Sequence, residues 1–106
     1  MKVVFLRSAE RDLQDLKRYI VKNFGEAVWL SSYGKLKKSV AAIQARPRMG
    51  RIPPELERLN TAQYRQVLSG MNRLIYEVRG ETVYIHVVCD TRRDFQSLLI
   101  RRIVGS

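Results

Sequence analysis

The stretch from Tyr64 to Phe95, YRQVLSGMNRLIYEVRGETVYIHVVCDTRRDF, constrains the fold more than any other part of the chain. It holds three strand-like runs separated by two short turns. Tyr64 to Leu68 reads as one strand and Ser69-Gly70 as a turn. Asn72 to Val78 reads as a second strand with clean alternation. Leu74, Tyr76 and Val78 fall on one face, and Arg73, Ile75 and Glu77 on the other. Arg79-Gly80-Glu81 is a tight turn between strands. Thr82 to Cys89 is apolar on both faces, with Val83, Ile85 and Val87 on one and Val88 opposite. That pattern predicts an interior strand. Three consecutive strands with short turns form an antiparallel meander.

The preceding residues read as packing for this sheet. Lys2 to Leu6 is a β-branched and aromatic run, expected at or near an edge. Ser8 stands where a helix N-cap is expected, with Glu10 and Asp12 in the first turn. Ala9, Leu13, Leu16 and Ile20 then form one helical stripe, Phe24 continues it, and Gly25 ends it. A second stripe runs through Trp29, Tyr33, Leu36, Val40 and Ile43, and Pro47 stops it. The short connection between the helices predicts an antiparallel hairpin, whose apolar stripes need a sheet to cover. Arg46 to Pro54 is a loop by its proline and glycine content. Glu55 to Leu59 reads as a helical turn placing Leu56 and Leu59 on the core. Phe95, Leu98, Leu99 and Ile103 space as a short C-terminal helix. The expected fold is α+β, in the order β-α-α-β-β-β-α: an antiparallel sheet packed by an N-terminal helical hairpin, in one domain over residues 1–106.

Charge narrows the partners. Twenty Lys and Arg against ten Asp and Glu give a formal charge of +10. Such a balance favours an acidic protein, nucleic acid or an anionic surface, and says nothing about fold. Between Lys35 and Arg51 the sequence carries Lys35, Lys37, Lys38, Arg46, Arg48 and Arg51 and no acid. This stretch is either a solvated face or an electropositive patch. The single cysteine, Cys89, permits no internal disulfide and fits a reducing compartment. The N-terminal apolar run is too short for a signal peptide, and no run approaches a membrane span. A soluble cytoplasmic protein with no membrane partner is expected.

Catalytic constellations are sparse. One Cys and one His do not build a metal site without several carboxylates nearby. The glycines are scattered and form no phosphate-binding loop. No cofactor or metal is expected. His86 and Cys89 lie three apart on a strand, so opposite faces are expected for them and no nucleophile pair. Arginine is what remains. Arg65, Arg73, Arg92 and Arg93 would converge on one side of the sheet, where guanidinium groups could hold phosphate or carboxylate. Alternatively, Arg73 pairs with an acid and holds the sheet together.

At these residues the chain resembles the RelE/ParE superfamily of bacterial type II toxins over nearly its whole length. The shared features occur in order: A-x-x-D-L-x-x-L-x-x-Y-I (Ala9 to Ile20), P-x-x-G-R (Pro47 to Arg51), E-L-x-x-L (Glu55 to Leu59), Y-R (Tyr64-Arg65), R-L-I-Y-E-V (Arg73 to Val78) and R-R-D-F (Arg92 to Phe95). The long first helix and R-R-D-F look closer to ParE than to RelE. RelE-type members cut messenger RNA on the ribosome with strand-borne basic residues and a C-terminal proton-transfer residue. The resemblance would give Arg65, Arg73 and Arg93 the basic roles. Val67 falls where a further basic residue is expected, and Leu98 or Leu99 where the proton donor is expected. General acid–base help is worth about 10²–10⁴ in rate, so this departure disfavours a ribonuclease. ParE-type members inhibit DNA gyrase and need no catalytic residue. The resemblance therefore implies a gyrase-inhibiting toxin, with Arg48, Arg51, Arg92, Arg93, Arg101 and Arg102 as expected target contacts. It also implies a cognate acidic antitoxin on the hairpin and sheet, with Leu13, Leu16, Tyr33, Arg65, Arg73 and Ile75 as expected contacts, and a toxin–antitoxin heterotetramer. A stand-alone basic RNA-binding module is a third reading. It would need stacking aromatics beside the arginines, for which only Tyr84 is placed. Direct nucleic-acid binding stays open.

Overall fold

Strand β1 (Lys2–Phe5) leads into helix α1 (Arg7–Phe24), which turns at Gly25 into helix α2 (Glu26–Ala45). A loop and a 3₁₀ turn (Pro54–Leu59) follow, then strands β2 (Tyr64–Ser69), β3 (Asn72–Arg79) and β4 (Thr82–Asp90). The computed structural model describes residues 1–59, 63–91 and 101–102. Arg101 and Arg102 are helical, whereas Arg92, Arg93, Phe95, Leu98, Leu99 and Ile103 lie outside the described residues. The side chain of Leu59 does too.

The sheet order is β1-β4-β3-β2. The β2-β3-β4 meander is antiparallel, as its alternation and turns predict. Strand β1 adds at the edge in parallel to β4, with Val3 opposite Val83 and Phe5 opposite Ile85. Strand β4 is therefore interior, in keeping with its apolar character on both faces.

The hairpin covers one face. Ala9, Leu16 and Ile20 of α1 and Trp29, Leu36 and Ile43 of α2 pack on Leu74, Tyr76, Val83, Ile85 and Val88. Leu13 and Val40 are partly buried beside them. Gly25 makes the reversal with a φ of 95°, a conformation that costs a residue with a Cβ. Its N–H bonds the carbonyls of Ile20 and Val21, and its own carbonyl accepts from Trp29. Two expectations on α1 change. The helix starts at Arg7 with Leu6 at the N-cap position and no side-chain cap, so Ser8 lies inside the first turn. Phe24 does not extend the core stripe: it is 55% exposed and meets the edge of Tyr19 at the hairpin tip.

The other face carries a second, smaller cluster of Leu56, Tyr64, Ile75, Val87 and Cys89. Leu56 of the 3₁₀ turn thus closes the face away from the helices. A register shift in the β3–β4 ladder makes this division. Ile75 pairs with Val87 but Tyr76 with Ile85, leaving His86 as the extra residue of a β-bulge. Past the bulge the faces exchange. Val88, and not Val87, joins Val83 and Ile85 under the helices.

Candidate functional site

Arg65 and Arg73 do not converge. Strand β2 pairs Arg65 with Tyr76 and Leu68 with Arg73. Because successive side chains alternate, Arg65 lies on the helical side of the sheet and Arg73 on the opposite side. This corrects the expectation of a single arginine-lined face.

Arg65 is engaged with the loop before the 3₁₀ turn. Its Nη1 donates to the carbonyls of Gly50 at 2.8 Å and Arg48 at 3.2 Å. Tyr76 works on the same loop from β3. Its hydroxyl donates to the Pro47 carbonyl at 2.7 Å and accepts from the Gly50 N–H at 3.0 Å. Burial pushes the Tyr76 phenol pKa up, so the hydroxyl keeps the proton that this donation needs. Gly50 has no room for a side chain: a Cβ there would stand 2.5 Å from the Tyr76 hydroxyl and 2.8 Å from the Gln66 carbonyl. The loop then pairs with β2 through Arg51 N–H to Gln66 O and Gln66 N–H to Arg51 O. The P-x-x-G-R motif is thus a strap fastened to the sheet edge, with the Arg48 and Arg51 side chains left exposed.

Arg73 makes a fork-on-fork pair with Glu55 of the 3₁₀ turn, Nη1 to Oε2 and Nη2 to Oε1, both at 2.9 Å. Its Nε and Nη2 also donate to the Gln66 side-chain carbonyl. Only 10% of the Arg73 side chain is exposed. The Arg73 hydrogen bonds hold the Glu55 carboxyl below its ordinary pKa, against the opposing effect of burial. This is the structural role of Arg73 anticipated from the sequence as one of two alternatives.

Beside this pair on the same face lie Tyr64, Glu77 and His86. His86 Nε2 is 2.9 Å from Glu77 Oε1, and its ring meets Tyr64 edge-on at 5.1 Å. Arg79 also reaches Glu77 Oε1, at 3.0 Å, and lies over the Tyr84 ring. Burial, and then the Glu77 charge, push the Tyr64 hydroxyl pKa up. The bulge places His86 on the same side as Cys89, where regular alternation had predicted opposite sides. The imidazole is engaged by Glu77, and Cys89 is buried in the apolar cluster.

The bulge exposes a further connection. Asp12 of α1 accepts the Val88 N–H at 3.1 Å and binds Arg102 through both carboxylate oxygens. Asp12 is therefore a tie between helix, bulged strand and C-terminal segment, and not a first-turn charge. Arg102, expected at a target surface, is held by this tie, and Asp12 raises its pKa further. Arg101 is exposed.

Of the residues expected at an antitoxin surface, Leu13 and Tyr33 meet. They line a groove of about 480 Å³ between α1 and α2 with Phe5, Leu36, Val40, Lys37, Glu10 and Gln14. Tyr33 is 39% exposed, stacks on Trp29 and carries the Lys37 ammonium 5.0 Å above its ring. Leu16 and Ile75 are instead buried inside the chain, at 8% and 0% exposure, with Leu16 lining a separate cavity beside Asp12, Asp15 and Tyr19.

A family model described as "ParE toxin of type II toxin-antitoxin system, parDE" matches residues 3–95. The chain belongs to the ParE toxin family. Among solved structures, a chain of the chromosomal ParDE toxin–antitoxin system from P. aeruginosa shares the fold, with a TM-score of 0.69 and 17% identity over 85% of this chain and 95% of that one. A search of curated proteins finds no significant match.

In this ParE-family chain, three contributors to the arrangement were not singled out from the sequence: the Tyr76 hydroxyl, Gln66 and Asp12. All three are polar groups that the fold turns inward or toward a tie. For Tyr76 the signal was its core-facing parity, since a buried phenol needs a partner for its O–H. Among the described residues, no helix is long and apolar enough to cross a membrane.

Proposed function

We propose that the chain is a toxin that acts by binding, inhibiting DNA gyrase, and that an acidic antitoxin holds it inactive through the groove between α1 and α2. The observation that carries the first part is the separation of Arg65 and Arg73. A phosphate-transfer centre needs its guanidinium groups preorganised around one phosphate. Here the two lie on opposite faces, one fastened to loop carbonyls and the other to Glu55. That supports a docking protein over a ribonuclease. Exposed Arg48, Arg51 and Arg101, and Arg92 and Arg93 outside the described residues, are the target contacts to test.

The antitoxin reading is supported by the groove's composition. An amphipathic segment would bury apolar side chains against Phe5, Leu13, Tyr33 and Val40, with an acidic residue toward Lys37 and none toward Glu10, which lines the same groove. A heterotetramer with that antitoxin is the proposed assembly. The test is a gyrase supercoiling assay with ATP beside a translating extract. Inhibited supercoiling or trapped cleaved DNA, with intact message, supports the proposal. Cut message with unaffected gyrase refutes it.

A further inference from the structure

Strand β2 is an edge of the sheet, and the chain covers only part of it. Ser69 pairs with Asn72 across the two-residue turn, so the N–H and C=O groups of Arg65, Val67 and Ser69 point toward β3. Those of Gln66 and Leu68 point outward. The strap takes up the outward pair at Gln66, through both backbone bonds to Arg51. At Leu68 the strap makes no backbone bond, and among the described residues neither Leu68 group is bonded. The Leu68 side chain is 61% exposed, and Met71 in the adjoining turn is 54% exposed. Open apolar edges are usually blunted by a lysine, a proline or a covering loop. Here the covering loop stops short of Leu68.

Two cations bracket this open position. Two residues after Leu68, the Lys35 side chain of α2 lies against Gly70, its Cδ 3.6 Å from where a Gly70 Cβ would stand. Two residues before Leu68, Arg51 is the bridge partner of Gln66. Two residues of strand span about 7 Å, so a segment centred on Leu68 reaches both charges. Both side chains are exposed, and among the described residues neither pairs with a carboxylate. Glu55, on the Leu68 face, is already taken up by Arg73.

We propose that the open end of β2, centred on Leu68, takes an acidic extended segment of a partner protein as a fifth strand of the sheet. The Leu68 backbone supplies a donor and an acceptor, Leu68 and Met71 an apolar contact, and Lys35 and Arg51 the charge complement. A nucleic acid would leave the backbone pair and the apolar contact unused. A second copy of the chain would set Lys35 and Arg51 against their own counterparts, with a formal charge of +10 on each chain. The site is separate from the α1–α2 groove, which is lined by Phe5 of β1 at the opposite edge of the sheet. It needs no gyrase, so its test stands apart from that of the proposed function.

The experiment titrates the isotope-labelled full chain with a short soluble peptide alternating Glu with Val, followed by amide exchange. Bound peptide should slow exchange of the Leu68 amide about tenfold or more, as a new hydrogen bond there requires. The same peptide methylated on its Val nitrogens keeps its side chains and charge and should bind about tenfold more weakly. Leu68→Ser, an exposed position whose folding a thermal melt confirms, should cost a similar factor. Lys35→Gln/Arg51→Gln should weaken binding about fivefold at low salt, and Arg11→Gln/Lys22→Gln, exposed on α1, should leave it unchanged. Equal affinity of the methylated peptide, equal loss in the two charge variants, protection at Val3 or Phe5 in place of Leu68, or no binding would each overturn the site. So would self-association of the chain that Leu68→Ser abolishes, since the edge would then belong to a second copy.

Discussion

Removing the Arg73 guanidinium is expected to destabilise the fold before it affects any activity. Arg73→Met keeps an unbranched stem of similar length but leaves Glu55 and Gln66 without their donor. Breaking a buried pair by deleting one partner costs about 3–5 kcal/mol. Glu55 keeps 22% of its side chain in water, which places the cost at the lower end, about 3 kcal/mol. For a chain of this size that lowers Tm by roughly 12 °C or more. Glu55→Gln alone should cost less, since its carbonyl still accepts one bond. The cycle of Arg73→Met, Glu55→Gln and the double variant, followed by urea unfolding, isolates the coupling, expected at about 1.5–3 kcal/mol for a charge-assisted pair. Glu55 has a lowered folded pKa. Its contribution is therefore complete above the ordinary value of 4.5 and is lost as pH falls through the lower folded value. Coupling below about 0.5 kcal/mol at neutral pH, within the error of simple additivity, would refute the structural role given to Arg73.

Gly50→Ala should lower the urea midpoint strongly, because its Cβ meets the Tyr76 hydroxyl and the Gln66 backbone, whereas Tyr76→Phe should cost about 1–3 kcal/mol for the orphaned Gly50 N–H and Pro47 carbonyl. Asp12→Ala should speed amide exchange at Val88, and Asp12→Asn should not, since the asparagine oxygen still accepts that N–H. Leu13→Lys should lower Tm, because Leu13 is partly buried against the core, and at a temperature where the variant stays folded it should weaken capture by a cognate acidic antitoxin about tenfold or more, as loss of one apolar anchor worth about 1.5 kcal/mol or more implies; unchanged affinity would move the antitoxin off the α1–α2 groove.

Most of the architecture was legible because each element announces itself by period. The Ala9-Leu13-Leu16-Ile20 stripe and the alternation around Leu74 and Tyr76 survive in the structure as the faces of one core. The expectation that Arg65 and Arg73 share a face failed, although parity argues against it. A two-residue turn pairs odd-numbered residues with even-numbered ones, so Arg65 and Arg73 fall on opposite faces of any such hairpin. The structure makes this turn at Gly70-Met71, with Ser69 opposite Asn72. The bulge at His86 was not legible. Val87 and Val88 are chemically equivalent, and β4 is apolar on both faces, so nothing in the residue pattern marks where the register slips. Its consequences, the Asp12 tie to Val88 and the shared side of His86 and Cys89, were hidden with it. The groove was legible in part: Tyr33 and Leu13 belong to different stripes, and only the hairpin angle decides that they meet while Leu16 turns inward.

The central claim is that the sheet arginines hold the fold and the toxin works by docking. The most direct measurement is gyrase supercoiling inhibition by the original chain and by Arg65→Lys, chosen because lysine can keep one bond to the Gly50 carbonyl while losing the guanidinium fork. Inhibition that stays within about threefold of the original, at a temperature where both are folded, is the predicted result. That corresponds to less than about 0.7 kcal/mol of lost interaction. Absent gyrase inhibition, together with message cleavage that the same substitution abolishes, would contradict the account.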